Sequence, residues 1–315
     1  MQDSSRRGYL LAITSAFFLA WTSIFIRYLV INFGIPALVL AFWRNFFVVV
    51  VVAGGLLLFN HKGLIIPKTQ MRFFVWFGAM LALFNSFWTT SVALTGAAVA
   101  TVLVYSSGAF TAVLDALINK EPIGWIKGIA VVLCLGGCVL VSGALDADIW
   151  AVNALGIVAG ILSGFMYAVY TLMGRSAAQQ KINIWTTLLY TFFIAGIFLL
   201  LLNVLPLGFV PGSAQKPADM FWLGSAWRGW LAMFLLSAGP TVMGFGSYNR
   251  ALHHLPSSIV NLIVTSEPVF TTVIAFVLLE EQMNPIQLVG SALILTGVVL
   301  VRLNHRNGLR VPAQV

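Results

Sequence analysis

Three ionisable residues stand inside long apolar runs of this 315-residue chain: Arg44 in FWRNFF, Asp115 in TAVLDALI and Glu267 in VTSEPVF. A charge held within a bilayer is expensive and is read first as functional. Arg44 could receive a substrate carboxylate, and Glu267 could take a proton or meet an ammonium group. The alternative is that both pair with other protein groups and hold a bundle together. Arg27 sits near the end of its run, where a long side chain snorkels to the interface.

Aromatic side chains with a polar tip gather in the same runs: Trp21, Trp88, Tyr105, Tyr167, Tyr170 and Tyr190. Asn85 and Trp88 are three apart, as are Tyr167 and Tyr170, so each pair can face one side of a helix. Such faces suit flat rings by stacking and ammonium groups by cation–π contact. Trp and Tyr also serve as interfacial anchors, although these lie well inside their runs. Thr101, Tyr105, Gly108 and Ala112 follow 4-3-4 spacing and share a face, and Asn261, Thr265, Pro268 and Thr272 repeat it. The paired stripes describe either a polar lumen or small and hydroxyl residues that let helices approach closely. At 100° per residue Glu267 falls about a third of a turn from the Asn261 stripe.

The elements that must position these residues are membrane helices. Hydrophobic residues make up 60% of the chain and charged ones 8%, against about a quarter charged in a soluble domain. Ten stretches of close to twenty residues can be drawn, at 8–31, 36–59, 72–94, 97–118, 123–144, 153–175, 184–205, 228–252, 256–279 and 285–303. The expected fold class is therefore an all-α integral membrane protein, with lipid as its surroundings. Strand-like alternation is absent, which argues against a barrel. The connection at 206–227 is the one long one; its prolines exclude a regular element, and its Trp222 and Trp227 suit the headgroup level. The first apolar run is too long for a signal-peptide core and lacks a cleavage site, so it is read as the first span.

Residues 97–121 recur at 257–281. Val104/Val264, Ser106/Ser266, Phe110/Phe270, Thr111/Thr271, Val113/Val273 and Glu121/Glu281 are identical, and a breaker recurs as Gly108 and Pro268. FWRNFF at 42–47 aligns with LLYTFF at 188–193, and Ala93-Leu94 with Ala251-Leu252. Five spans are thus followed by five similar ones, 8–144 and 153–303. An odd number per repeat turns the second copy upside down. Of the 17 Lys and Arg residues, 13 fall on the side of the N-terminus if that side is the cytoplasm. The positive-inside rule then puts both termini, 1–7 and 304–315, in the cytoplasm.

Trp21-Thr22-Ser23, Arg44, Ala93-Leu94, Ala251-Leu252, the Glu-Pro-Val-Phe of 267–270 and PIQLVGSALILTGVVLV at 285–301 together resemble the EamA domains of the drug/metabolite transporter superfamily. Within it, the chain is most similar to aromatic amino acid exporters of the YddG type. The first copy departs from the pattern, with Ser107-Gly108 opposite Glu267-Pro268. The resemblance implies two inverted five-helix repeats in an inner (plasma) membrane. It also implies a secondary or facilitative carrier that exports small metabolites, aromatic amino acids above all, by alternating access. Protons are a candidate coupling ion. The expected substrate-binding residues are Trp21, Arg44, Asn85, Trp88, Thr101, Tyr105, Tyr167, Tyr170, Tyr190, Asn261, Thr265 and Glu267, with Gly108 and Pro268 as gating positions. Gly156, Gly160 and Gly164 on one face suit close packing or a sliding hinge.

Other classes fit poorly. The net charge of +8 is scattered through short loops, not gathered into a nucleic-acid patch. All four histidines fall in loops or the tail and Cys134 and Cys138 have no His or acid beside them, so neither a metal nor another cofactor is expected. No GxxxxGK[ST] occurs, which excludes a P-loop ATPase. An intramembrane enzyme would need a Ser–His pair, paired carboxylates or a metal cluster. A multidrug or organic-cation exporter remains the nearer alternative, for which acids and aromatics would suffice.

Overall fold

Gly34 takes φ +60°, a left-handed turn that ends the first helix. Pro36 then opens the second, where its missing N–H costs nothing. Such punctuation recurs along the chain in the computed structural model, which describes residues 2–118, 124–141, 154–205, 210–279 and 285–308. Twelve α-helices are formed there: α1 (Gln2–Phe33), α2 (Ala37–Phe59), α3 (Lys68–Tyr105), α4 (Ser107–Ile118), α5 (Trp125–Val141), α6 (Ala154–Gln179), α7 (Ile184–Val204), α8 (Trp227–Leu236), α9 (Val242–Leu252), α10 (Ser257–Val264), α11 (Glu267–Leu279) and α12 (Pro285–Gly308). No strand occurs among the described residues.

Among the described residues, six stretches are long and apolar enough to cross a membrane: Ser5–Phe33, Ala37–Phe59, Lys68–Val92, Ala154–Gln179, Ile184–Val204 and Trp227–Leu252. Three apolar helical stretches are shorter, Val102–Ile118, Trp125–Leu140 and Pro285–Leu300. The 256–279 span of the sequence reading is divided into α10 and α11. Trp227–Leu252 is α8 and α9 joined by a π-helical turn at Ser237–Thr241, where Pro240 interrupts the ladder.

Residues 68–105 form one run of helical residues, yet α3 is not straight. Ser91 and Leu103 would stand about 18 Å apart along one axis. Both lie within 2.7 Å of where a β-carbon on Gly160 would sit. The run therefore doubles back between them, and its two arms lie against α6. Gly160 and Gly164 make that approach possible: a β-carbon at Gly164 would meet Ser106 Oγ at 2.5 Å and the carbonyls of Leu103 and Val104 at 3.1 and 3.2 Å. These glycines thus serve close packing, the first of the two alternatives.

Neighbouring helices pair across the two halves of the chain. The main partners are α3 with α6, α5 with α12, α2 with α7, α1 with α9, and α4 with both α6 and α10. Cys134 and Cys138 are free, buried thiols on α5. The Cys134 thiol lies against Gly297 and the Ile294 carbonyl of α12.

Two ends of the bundle are distinct. At the basic end, Gly8 of α1 touches His254 in the α9–α10 turn, and Arg175 of α6 donates to the Leu252 carbonyl. At the opposite end, residues 210–226 fold over the helix tips. Trp222 Nε1 donates to Phe33 O at 2.8 Å and Trp43 Nε1 to Met220 O at 2.5 Å. Trp227 is two-thirds exposed, with Arg228 5.6 Å from its ring centroid, as suits the headgroup level.

Candidate functional site

The chain breaks its helices twice in the same way. At Ser106, between α3 and α4, the backbone N–H and Oγ both bond back to Leu103 O, at 3.2 and 2.6 Å. At Ser266, between α10 and α11, N–H and Oγ bond back to Ile263 O, at 3.0 and 2.7 Å. The serine carbonyls then accept from the next half-helix, Ser106 O from Ala109 and Phe110, Ser266 O from Val269 and Phe270. Gly108 and Pro268, expected to be the breakers, lie instead in the first turns of α4 and α11. Proline is tolerated there because the first-turn N–H groups have no helical partner. The identical pair Ser106/Ser266 was the available signal.

The second break resolves the position of Glu267. On a continuous helix it would lie off the Asn261 face; as the first residue of α11 it lines a partly open cavity of about 100 Å³. Arg44, Asn85, Trp88, Tyr105 and Tyr167 line the same cavity, so six of the twelve expected residues meet there. Thr22, Phe84 and Phe245 join them without having been expected. Thr22 was legible only as part of Trp21-Thr22-Ser23, where the larger neighbour drew attention.

Arg44 NH2 donates to Asn85 Oδ1 at 2.7 Å. Arg44 is 6% exposed, Asn85 is fully buried, and Arg44 Nε and Asn85 Nδ2 have no hydrogen-bond partner among the described residues. Thr22 Oγ1 is likewise unpartnered. Among the described residues no carboxylate pairs with Arg44. Across the cavity, the Tyr105 hydroxyl stands within reach of the Glu267 carboxyl. Phe84 and Tyr167, with ring centroids 4.9 Å apart, form an aromatic wall.

The other expected residues lie elsewhere. Tyr170 is fully buried, stacked on Tyr167 at 6.0 Å with its ring 5° from parallel, and its hydroxyl accepts from Asn249 Nδ2 at 3.3 Å. Asn261 accepts from Ser107 Oγ at 3.1 Å and donates to Thr171 Oγ1 at 3.2 Å; Thr171 bonds the Tyr248 hydroxyl at 2.6 Å. This polar seal joins α4, α6, α9 and α10 on the basic side of the cavity. Asp115 extends it, accepting from Ser258 N at 2.6 Å in the first turn of α10. Thr265 is buried and donates to Leu262 O at 2.5 Å. Tyr190 reaches the α2–α3 connection, donating to Leu64 O at 2.7 Å. Trp21 lines an open apolar groove between α1 and α8, with Phe25, Tyr28, Trp227 and Leu231. Its neighbour Thr22, 100° around the helix, takes the cavity face instead. The Thr101, Arg27 and Thr272 side chains lie outside the described residues. No cluster of His, Cys, Asp or Glu able to hold a metal occurs among the described residues.

A sequence model of the EamA-like transporter family matches residues 6–143 and again 154–303. The chain belongs to the EamA-like transporter family. One relative by sequence is described as a probable terminal-alkyne amino-acid exporter, from Streptantibioticus cattleyicolor. It is 27% identical over 211 residues, which span 65% of this chain and 64% of that exporter, just under two thirds of its length. A solved crystal structure of a protein 16% identical in sequence superposes with a TM-score of 0.74, covering 95% of this chain and 98% of that one. At that identity the likeness concerns the fold. Family and relative both describe transporters of small molecules across a lipid bilayer, and neither describes an enzyme.

Proposed function

We infer that this EamA-like transporter exports small zwitterionic metabolites, amino acids with apolar or aromatic side chains foremost, and that the cavity between Arg44 and Glu267 is its substrate site. The observation that carries this reading is one cation and one acid lining a single cavity that aromatic rings also line. An amino acid offers the complementary set: a carboxylate for Arg44, an ammonium for Glu267 and Tyr105, and a side chain for Trp88, Phe84 and Tyr167. The family match and the name of the amino-acid exporter relative support it. Trp21, Tyr170, Tyr190, Asn261 and Thr265 are then positions that shape or close the site, without touching substrate in this conformation.

The route is alternating access between two inverted five-span repeats, 8–144 and 153–303, with ten spans in all and both termini cytoplasmic in the plasma membrane. Exchanging the halves carries the α3–α6 pairing onto that of α1 with α9, and maps α2–α7 and α5–α12 onto themselves. That pattern, and the doubled family match, support the symmetry. The charge count makes the basic end cytoplasmic, so the polar seal of Tyr248, Thr171, Asn261 and Ser107 closes the inner side. Inward opening would part that seal, with α4 and α10 pivoting at Ser106 and Ser266.

Glu267 is the candidate proton carrier, and Gly108 and Pro268 flank the pivots. The cation-exporter reading uses Glu267 and the aromatics but leaves Arg44 facing a cation, which is repulsive. The test is flux of labelled L-phenylalanine and L-leucine into liposomes holding the purified full chain, with and without a pH step. Protein-dependent flux that Arg44→Ala abolishes is expected. Lipophilic-cation flux indifferent to Arg44, without amino acid flux, would overturn the reading. Glu267→Gln should remove any dependence on the pH step while sparing downhill flux.

A further inference from the structure

We propose that Arg44 and Asn85 form a two-residue donor fork that selects a planar monocarboxylate, with Asn85 as a specificity-determining residue in its own right. The proposal rests on the reading of the cavity as the substrate site and names the chemistry of one half of it.

The orientation of the Asn85 amide follows from its neighbour. Arginine has only donors, so the atom facing Arg44 NH2 at 2.7 Å must be the oxygen. The amide nitrogen is then left without an acceptor, and it is found without one. On the guanidinium, this bond uses one of five N–H groups, and Nε–H is also unpartnered. Two buried side chains from different helices, α2 and α3, are thus tied together so that each keeps an idle donor. Both line the cavity. A buried donor with no acceptor is destabilising, by about 1–3 kcal/mol for an ordinary group. Nothing else in the described protein relieves it. An anionic acceptor in the cavity would.

The kind of acceptor follows from the donors. One formal positive charge suits a single negative charge, and two adjacent N–H donors suit the two oxygens of a flat carboxylate. Asn85 holds the guanidinium plane while adding a donor of its own. A carboxamide presents an N–H₂ group where the second oxygen should be, and would set donor against donor. An amine without a carboxyl group leaves the fork empty. Loss of carboxylate should therefore be costly, whereas loss of the ammonium should leave this half of the site working.

Asn85→Asp is the sharpest probe. The introduced carboxylate would sit where Asn85 Oδ1 now accepts from Arg44, satisfy the guanidinium internally and remove the Nδ2 donors. Ligand carboxylate would then meet a neutralised, acceptor-bearing site. Asn85→Leu, near in volume, removes both the tether and the donor.

The experiment is thermal stabilisation of the purified full chain by four probes: 3-phenylpropionate, L-phenylalanine, L-phenylalaninamide and phenethylamine. In the unsubstituted protein the two carboxylates should stabilise at concentrations at least about tenfold lower than the amide or amine, the scale of one lost charged hydrogen bond. In N85D and N85L that preference should fall about tenfold or more, with phenethylamine binding equal or improved in N85D. An unchanged preference in either variant, or equal binding of carboxylate and amide to the unsubstituted protein, overturns the fork. If neither variant folds, Arg44→Lys, which keeps the charge and loses the planar donor edge, should lose the preference; retention there overturns the proposal equally. Because 3-phenylpropionate binding needs no transport, absence of amino acid flux would sink the proposed function while leaving this test intact.

Discussion

Substituting Gly164 by alanine should destabilise the protein through one hydroxyl group. The new β-carbon would stand 2.5 Å from Ser106 Oγ, with the Leu103 and Val104 carbonyls at 3.1 and 3.2 Å. Overpacking of this size costs about 1–3 kcal/mol. Driving Ser106 Oγ off Leu103 O also loses a hydrogen bond worth about 1 kcal/mol. Against this, alanine in place of glycine within a helix gains about 1 kcal/mol. The net loss is about 2 kcal/mol. With roughly 2–4 °C per kcal/mol for domains of 150–250 residues and less for longer chains, the melting temperature should fall by about 4 °C. Gly136→Ala is the control, since its β-carbon would enter open space; it should be neutral or slightly stabilising. The decisive measurement is the cycle with Ser106→Ala. That change removes the closest atom and leaves the carbonyls, so Gly164→Ala should cost less in the Ser106→Ala background, by about 1 kcal/mol. An equal cost in both backgrounds, read from unfolding of the detergent-solubilised variants, would refute the close-contact account of this joint.

Asp115→Ala removes the acceptor for Ser258 N at the start of α10 and should cost about 1–3 kcal/mol, measured by the same unfolding assay. Trp21→Ala should leave the apparent affinity for L-phenylalanine within about twofold, well short of the tenfold that 1.4 kcal/mol of lost contact would produce, because Trp21 faces the outer groove. His253 and His254, outside the spans, are pushed below the ordinary histidine range by partial burial, then by neighbouring cations: His254, Arg175 and Arg250 for His253, Arg250 and Arg7 for His254. A depressed histidine takes up its proton more readily in the unfolded chain. Stability should therefore be full above about pH 6.5 and fall as the pH drops below it, and the His253→Gln/His254→Gln pair should flatten that slope.

The membrane class, the limits of most helices and half of the cavity were legible in the sequence because hydropathy and periodicity record them directly. Arg44, Asn85, Trp88, Tyr105 and Tyr167 were found by asking which polar groups an apolar run can least easily hide. Residue type alone did not separate Tyr167, on the cavity, from Tyr170, about one turn along α6 and bonded to Asn249. Both are aromatic, polar-tipped and three residues apart; depth divides them, and depth follows from how α3, α6 and α9 pack. Trp21 lies off the cavity for a related reason. The size of a side chain signals burial against something, and here that something is the groove between α1 and α8. Glu267 was expected on the cavity and lines it; its offset from the Asn261 stripe came from extending a regular 100° step through a place where the backbone stops being regular. A proline marks such a place only to within a turn, and the serine two residues earlier does the bonding.

The paired serines have a mechanical meaning. In hydrocarbon, a helix that bends must find new partners for each backbone group it uncovers, because no water is there to supply them. At Ser106 and Ser266 the hydroxyl and amide of one residue return to the same carbonyl, and that residue's own carbonyl is taken up by the next segment. Each articulation carries its substitutes with it. Motion there can proceed by exchanging bonds already at hand, so the swing of a half-helix is limited by the side chains around it rather than by the backbone it would otherwise strip bare.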